Sequence, residues 1–376
     1  MHIRNARFAP LRFFYKNPVL TIALLLAVAS AFFVPPDGEY LGYFDFRTLT
    51  CLFCTLAVIC ALQDFHFFTI LAERLVLLTG NLRMAVLSLI VITFLGSMVL
   101  ANDMALLTFL PLGYTVLKST DNMKYLAPVF ILQNISANLG GMLTPFGNPQ
   151  NLYLYSYFNI PTGEFLQIMF PPFVMAVILL MVCTLFFPVR RLVLSARTQG
   201  KLLTRKNIFF LILFAFSVAI VFRLFPYWIG LLVVPFCLFF TDRKSLLEVD
   251  YGLLLTFACF FVFAGNLSRI EVVREYLSVL LAKNPLLVSI GSCQVISNVP
   301  SAVLLSNFTT DYAPLLVGVN LGGTGTLIAS LASLITFRKY RKRAPGTTVK
   351  YFLLFSAFNF GFLFLLTAAE YFIMYL

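Results

Sequence analysis

The chain has 376 residues, of which 60% are hydrophobic, 16% aromatic and only 11% charged, and its formal net charge is +12. A soluble protein of this length does not need so much apolar surface, whereas a chain that crosses a bilayer several times does. The composition therefore excludes an ordinary soluble enzyme, and the two histidines are too few for a metal cluster. We predict an all-α polytopic membrane protein.

Hydrophobic stretches follow one another along the chain. A hydrocarbon core of about 30 Å needs roughly 20 helical residues, and fewer where the helix is short-ended. A basic leader precedes the first stretch, as in a signal peptide, but no small-residue cleavage site follows it. We therefore expect a retained helix. We predict about nine spans and two re-entrant hairpins, with the spans at residues 18–34, 46–62, 125–158, 165–188, 207–225, 227–241, 251–265, 312–337 and 350–374.

Lysine and arginine are unevenly distributed between the loops. With the N-terminus inside, 22 of the 27 lie in inside segments, and the others are Arg47, Arg223, Arg269, Arg274 and Lys283. The positive-inside rule therefore predicts a multi-pass protein of the inner (cytoplasmic) membrane with a cytoplasmic N-terminus. The same distribution accounts for the net charge without a nucleic-acid partner.

Two halves of the chain carry similar motifs in the same order, on either side of a basic stretch at 189–206. An amphipathic segment precedes the motifs in each half, on opposite sides of the membrane by the charge count. The motifs are LANDM (100–104), KYLAP (124–128) and NLGG (138–141) in the first half, and ISNVP (296–300), DYAP (311–314) and NLGG (320–323) in the second. We predict two inverted repeats, residues 1–188 and 226–376, joined by a cytoplasmic loop and linker helix at 189–225.

Each repeat is expected to contain a hairpin. In the second repeat, residues 285–310 form two arms that are too short to cross the bilayer, so we predict a hairpin with Ser297 and Asn298 at its tip. In the first repeat, residues 84–118 form the corresponding hairpin. Its first arm is long enough to cross, so two separate spans remain an alternative.

Each repeat is also expected to contain a broken helix. Residues 136–151, inside the span 125–158, include three glycines and two prolines, which interrupt helices. Residues 320–330, inside the span 312–337, are the counterpart. An ordinary loop is the alternative for the first segment. If the helix is broken, at least one of Gly140, Gly141 and Gly147 should need a positive φ or a close backbone approach to ligand.

Asp103 is the acid that we place at mid-membrane. A carboxylate there costs several kcal/mol unless it is paired, protonated or bound to an ion, so we expect it to bind a coupling ion. The alternative is that Asp103 only caps a helix at the hairpin tip.

These motifs together resemble the ion transporter superfamily. The resemblance rests on the tip ANDMAL (101–106), the break GGMLTPFGNPQN (140–151), the tip SNVP (297–300) and the break at 320–332. It is closest to the arsenite permease and sodium/proton antiporter branch, with divalent-anion/sodium symporters and citrate carriers as wider relatives. It implies secondary active transport, with the substrate held between paired hairpin tips and broken helices.

Carried onto this chain residue by residue, the resemblance implies a two-part site. The coupling ion would contact Asp103, Asn102 and Asn298. The substrate would contact Asn102, Asn138, Gly141, Thr144, Asn148 and Asn151 from the first half, and Ser297, Asn298, Asn320, Thr324 and Thr326 from the second. The tips read Asn-Asp-Met and Ser-Asn-Val where the symporters carry Ser-Asn-Thr, so sodium and dicarboxylate binding do not follow from the resemblance.

We therefore expect a secondary transporter, not an enzyme, that moves a small oxyanion or carboxylate coupled to H⁺ or Na⁺. The alternatives are a cation/proton antiporter and an ion channel. We expect no cofactor and no metal apart from Na⁺ as a coupling ion. The expected partners are the lipid bilayer and a small-molecule anion but no nucleic acid, and a homodimer and an associated ATPase are left open.

Overall fold

The computed structural model describes residues 17–192 and 202–375. Those residues are nearly all helical and contain no strand, only an isolated bridge between Asn81 and Arg191. The all-helical fold class is therefore confirmed. The basic leader and part of the central basic stretch, residues 193–201, lie outside the described residues.

The described part of the first half contains eight α-helices. They are α1 (Pro18–Ala31), α2 (Phe46–Asp64), α3 (Phe67–Leu77), α4 (Leu82–Ser97), α5 (Asn102–Ser119), α6 (Leu126–Gly140), α7 (Pro149–Tyr157) and α8 (Thr162–Leu185).

The described part of the second half contains ten α-helices. They are α9 (Arg205–Val221), α10 (Tyr227–Thr241), α11 (Arg243–Glu248), α12 (Tyr251–Arg269), α13 (Glu271–Lys283), α14 (Pro285–Ile296), α15 (Asn298–Leu305), α16 (Tyr312–Leu321), α17 (Leu331–Arg343) and α18 (Thr348–Tyr375).

Five helical segments of the described chain are long and apolar enough to cross a membrane. They are α2, α8, α12, α18 and the segment Met123–Leu143, which contains α6. Shorter apolar helices are α1, α4, α10, α14 and α16. A polytopic membrane protein is thus supported, and the number of nine spans stays a prediction.

The short helices α14 and α15 show how local sequence produces a hairpin. Asn284 caps α14 by accepting a hydrogen bond from the Leu287 amide, and Pro285 occupies the first turn, where no amide is needed. The chain reverses at Ser297, whose φ of 77° lies in the left-handed region. The two arms have 12 and 8 residues. At 1.5 Å per residue they extend only about 18 Å and 12 Å, so neither crosses a hydrocarbon core.

The two halves are interleaved rather than placed side by side. Helix α1 packs against α12, and α10 packs against α2. Among the helices that begin at the tips and breaks, α5 packs against α17 and α7 packs against α15. Each of these pairs joins a helix of the first half to a helix of the second. The polar interruptions of the two halves therefore come together inside the molecule.

Glycines at the first break serve close packing. None of Gly140, Gly141 and Gly147 has a positive φ, so that part of the expectation was wrong. A Cβ on Gly140 would lie under 3.0 Å from the Phe94 carbonyl oxygen, and one on Gly141 would lie under 3.0 Å from the Asn148 side chain. The left-handed glycine of the two breaks is Gly325, in the second, with φ of 111°.

Candidate functional site

The site is centred on Asn138, in the last turn of α6. Its Oδ1 accepts hydrogen bonds from Asn102 Nδ2 at 3.2 Å and from Ser330 Oγ at 2.7 Å. Asn102 opens α5, at the predicted tip of the first hairpin, and Ser330 caps α17. The hairpin at 84–118 and its alternative, two spans, both stay predictions. One buried carboxamide thus joins the start of α5 to the broken helices of both halves.

Asn320 occupies the same position in the second NLGG motif, and its contacts cross the halves in the opposite direction. Its Nδ2 donates to Asn151 Oδ1 at 2.6 Å and to the Leu316 carbonyl at 2.8 Å. Its Oδ1 accepts from Asn148 Nδ2 at 3.4 Å. Asn148 lies ten residues after Asn138, as Ser330 does after Asn320. Each broken helix is therefore tied to the residue that starts the second part of the other.

The second hairpin tip is attached to the same network. The Asn298 amide donates to the Ala329 carbonyl at 3.0 Å, and Ser297 Oγ donates to that carbonyl at 3.2 Å. Ala329 immediately precedes Ser330, so this tip adjoins the start of α17. The N-termini of α5, α7, α15 and α17 consequently meet in one hydrogen-bonded cluster. A helix N-terminus carries partial positive charge, so four of them together favour a negative ligand.

Two threonines at equivalent positions fasten each hairpin to the break of its own half. Thr144 Oγ1 donates to the Met98 carbonyl at 2.8 Å, and Thr326 Oγ1 donates to the Gln294 carbonyl at 3.1 Å. Gln294 adds a second connection, because its Oε1 accepts from the Thr326 amide at 2.8 Å. Met98 and Gln294 each precede their hairpin's tip asparagine by four residues. The hairpins are thus held at both sides of their tips.

Gln150 Oε1, in the first break, lacks a hydrogen-bond partner among the described residues, and so do three buried polar atoms of residues that are bonded within the cluster. The three are Asp103 Oδ1, Asn138 Nδ2 and Asn148 Oδ1. Buried polar atoms are normally satisfied, so such a group marks a place where a ligand, ion or proton can bind. Two of the atoms, if the carboxyl is ionised, can only accept, which suits a cation or a proton. Asn138 Nδ2 can only donate, which suits an anion.

Asp103 carries the charge of the cluster. The tips and breaks, residues 98–103, 138–151, 294–298 and 320–330, contain no lysine or arginine. Among the ion pairs of the described chain, none involves Asp103. The Asp103 backbone amide donates to Asn102 Oδ1 at 3.0 Å. In the first turn of α5, this amide is therefore satisfied by the side chain of Asn102 and not by that of Asp103.

Most of the residues predicted for the site lie in the cluster or beside it. Asn102, Asn138, Asn148, Asn151, Ser297, Asn298 and Asn320 take part in its bonds, Gly141 packs on Asn148, and Thr144 and Thr326 anchor the hairpins. The hydroxyl of Thr324 bonds only the carbonyl of Leu321, three residues before it.

Sequence reasoning missed Ser330 and Gln294 as members of the site. The signal for Ser330 was the register of the repeat, since it lies ten residues after Asn320 as Asn148 lies after Asn138. The signal for Gln294 was weaker, because its counterpart Met98 contributes only a carbonyl.

A cavity of about 370 Å³ lies between α2, α3 and α5. It begins at Leu107 and Thr108, just over one turn beyond Asp103, and extends along α5 to Thr115. Its polar lining includes Gln63, whose Nε2 donates to Thr108 Oγ1 at 3.2 Å, and Glu73 of α3. The cavity provides polar space on the side of Asp103 towards which α5 continues.

Known proteins resemble the chain over most of its length. A family model described as citrate transporter matches residues 14–316. An uncharacterized transporter of Methanocaldococcus jannaschii is 33% identical over 297 residues, covering 78% of this chain and 81% of the relative. The inner membrane protein YbiR of Escherichia coli is 28% identical over 332 residues, covering 86% and 87%.

Proposed function

Because the chain belongs to the citrate transporter family and is a membrane transporter, we propose that it is a secondary active transporter for a small oxyanion or carboxylate, coupled to H⁺ or Na⁺. The observation that supports this most directly is the meeting of four helix N-termini around Asn138. Their partial charges and side-chain amides offer an anion hydrogen bonds without a lysine or arginine.

The absence of lysine and arginine from the described tips and breaks limits the size of the substrate's charge. A large polyanion would lose its hydration without a cationic side chain to compensate, which is costly. A small anion, or one that arrives with a cation, fits better. In this proposal Asn102, Asn138, Asn148, Asn298 and Asn320 hydrogen-bond the anion.

Asp103 is the proposed site of the coupling ion. Its covered Oδ1 has no partner among the described residues, and an unpaired carboxylate beside an anion would repel it. A proton or Na⁺ on Asp103 removes that repulsion, so ion and anion favour each other's binding. The cavity that starts beyond Asp103 gives this ion a route to one side of the membrane, which the charge distribution assigns to the cytoplasm.

A cation/proton antiporter is the second candidate. It is favoured by the two partnerless acceptors, Asp103 Oδ1 and Asn148 Oδ1, which suit a cation without any anion. In that function the anion-donor role of Asn138 Nδ2 would have no use.

Proteoliposomes with imposed proton or sodium gradients test the proposal. The panel consists of citrate, a dicarboxylate, a monocarboxylate, phosphate, sulfate and arsenite, with protein-free vesicles as the control. We expect saturable, gradient-dependent uptake of at least one anion, and counterflow by the same anion. If the protein exchanges sodium for protons at a rate that no anion of the panel alters, the antiporter is the correct function. Non-saturating anion flux without counterflow would indicate a channel.

A further inference from the structure

Helix α18 buries polar side chains that the candidate site does not use. Tyr351, Asn359 and Glu370 are 0%, 0% and 1% exposed, and Thr367 is half-buried. Within the described chain, Tyr351 Oη, Asn359 Oδ1, Thr367 Oγ1 and Glu370 Oε1 all lack a hydrogen-bond partner. Four such atoms on one spanning helix are unusual, because buried polar groups are normally paired.

Three of these side chains share one face of the helix. At 100° per residue Asn359, Thr367 and Glu370 fall within a sector of about 80°, and Tyr351 lies about 80° from Asn359 on the side of the buried Phe355. From Tyr351 to Glu370 the rise is about 28 Å, close to the thickness of the hydrocarbon core. Thr367 and Glu370 are one turn apart, so their polar ends are neighbours.

Glu370 has no ion-pair partner among the described residues. Helices α6, α8 and α16 pack against α18 and contain no lysine or arginine. The basic helix α17 also contacts α18, but it does so where Tyr340 stacks on Tyr351, about 28 Å from Glu370 along the axis. The titratable groups of the first three helices are Glu164 and Cys183 on α8 and Tyr312 on α16, with Asp311 as the N-cap of α16. Tyr312 donates its hydroxyl proton to Glu164 Oε1 at 2.5 Å, so that pair is already satisfied.

On α18 itself the other ionisable groups are Lys350 and three tyrosines. Lys350 and Tyr351 lie about 28 Å from Glu370 along the axis. Tyr371 and Tyr375 lie near the outer end and stack on each other with centroids 5.0 Å apart. Glu370 is therefore buried without a cationic partner among the described residues, and an ionised carboxylate is strongly disfavoured in such a place.

A buried carboxyl in such surroundings is stable when it is protonated. It can ionise only when water reaches it. The described residues contain no group of three or more His, Cys, Asp or Glu that could hold a metal ion beside Glu370. A proton is thus the ligand that fits.

We propose that Glu370 is a second proton-binding site of the transport cycle, loaded from the outer side, one helical turn from the unpaired hydroxyl of Thr367. In this step a hydronium ion on the outer side transfers a proton to the Glu370 carboxylate and leaves as water. Later in the cycle the carboxyl O–H bond breaks and the proton passes to water on the inner side, with no other bond changed. This inference rests on the proposed ion-coupled transport. It adds one proton per cycle to whatever ion Asp103 carries.

Proton counting with the Glu370→Gln variant tests the inference. Purified protein is reconstituted with a trapped pH dye, and protons and radiolabelled anion are counted in the same vesicles. We expect Glu370→Gln to retain anion counterflow while moving one proton fewer per anion. Equilibrium accumulation should then fall about tenfold for each unit of imposed pH difference, because each unit contributes about 1.4 kcal/mol per proton.

Glu271→Gln is the matched control, since it makes the same charge change at an exposed acid of α13. It should leave the proton count unchanged. If Glu370→Gln does not insert, Glu370→Asp keeps a titrating carboxyl at a different depth. That variant should retain the wild-type count with a shifted dependence on outside pH.

The outcomes separate the two proposals. Proton-coupled uptake in the wild type with an unchanged count in Glu370→Gln, or an unchanged pH profile in Glu370→Asp, overturns the role of Glu370 alone. Anion uptake driven only by sodium, with no proton movement, also overturns it and leaves the proposed function standing. A wild type that moves no anion at all removes both.

Discussion

Replacing Ser330 with alanine removes the hydroxyl through which the two broken helices meet at Asn138. The hydroxyl makes two bonds: it donates to Asn138 Oδ1 at 2.7 Å and accepts from the Ala332 amide at 3.1 Å. A buried side-chain hydrogen bond contributes about 1 kcal/mol net, and loss of a serine N-cap costs about 1 kcal/mol. Asn138 Oδ1 keeps its bond from Asn102, so it is not orphaned. We therefore expect Ser330→Ala to lower the free energy of unfolding by about 2 kcal/mol.

Unfolding of the purified protein in mixed micelles, titrated with a denaturing detergent, measures this change. Ser217→Ala is the control, because Ser217 is 1% exposed and its hydroxyl bonds only the Leu213 carbonyl four residues earlier. Such a bond back to the same helix adds little stability, so the control should change by less than about 0.5 kcal/mol.

A double-mutant cycle then isolates the contact between the two halves. Asn138→Ala and Ser330→Ala, measured singly and together, should show a coupling of about 1 kcal/mol, as expected for residues in one hydrogen-bond network. Equal effects of Ser330→Ala and Ser217→Ala, or a coupling near zero, would refute the network as we describe it.

Three further changes test other parts of the description. Asp103→Asn should abolish gradient-driven accumulation without loss of membrane expression, because the carboxamide cannot carry the charge that binds the coupling ion. The Asp103 side chain does not cap α5, so near-normal accumulation in this variant would refute its role in ion binding. Gly141→Ala should reduce transport at least tenfold because its Cβ would lie under 3.0 Å from a neighbouring carboxamide, whereas Gly163→Ala, with open space around it, should be neutral in the same uptake assay. In a functional cysteine-free background, Arg341→Cys should react with an impermeant thiol reagent only from the cytoplasm and Glu271→Cys only from outside; the reverse pattern would overturn the orientation.

Much of the architecture could be predicted because membranes make sequence patterns strict. A continuous spanning helix is incompatible with arms as short as those around Ser297, and with the glycines and prolines at 136–151. These features therefore predict interrupted helices. Asn138 and Asn320 could be identified because the NLGG motif occurs twice. The other asparagines of the site were implied by the family resemblance. Ser330 was missed because it differs in type from its counterpart Asn148, so only the spacing relates them.

The role of the glycines was harder to predict. A glycine permits positive φ and also permits close packing, and the sequence does not distinguish the two uses. At Gly140 and Gly141 the structure shows packing against Phe94 and Asn148, which depends on how α4 and α7 approach. The identity of the transported solute depends on where Asn138 Nδ2 and the other atoms without hydrogen-bond partners lie. Tertiary packing sets those positions, and a one-dimensional pattern does not encode them.

The crossed bonds of the site impose an order on biosynthesis. Asn138 lies 192 residues before Ser330, and Asn148 lies 172 residues before Asn320. At roughly 5–20 residues per second, a ribosome needs about 10–40 s to supply those partners after the first break has been made. During that time the carboxamides of the first half are inside the membrane without their final partners, so the newly inserted chain depends on water, lipid headgroups or an insertion chaperone to satisfy them. Synonymous changes that slow translation between α8 and α17 should therefore lower the yield of folded protein more than changes of equal delay placed after α17.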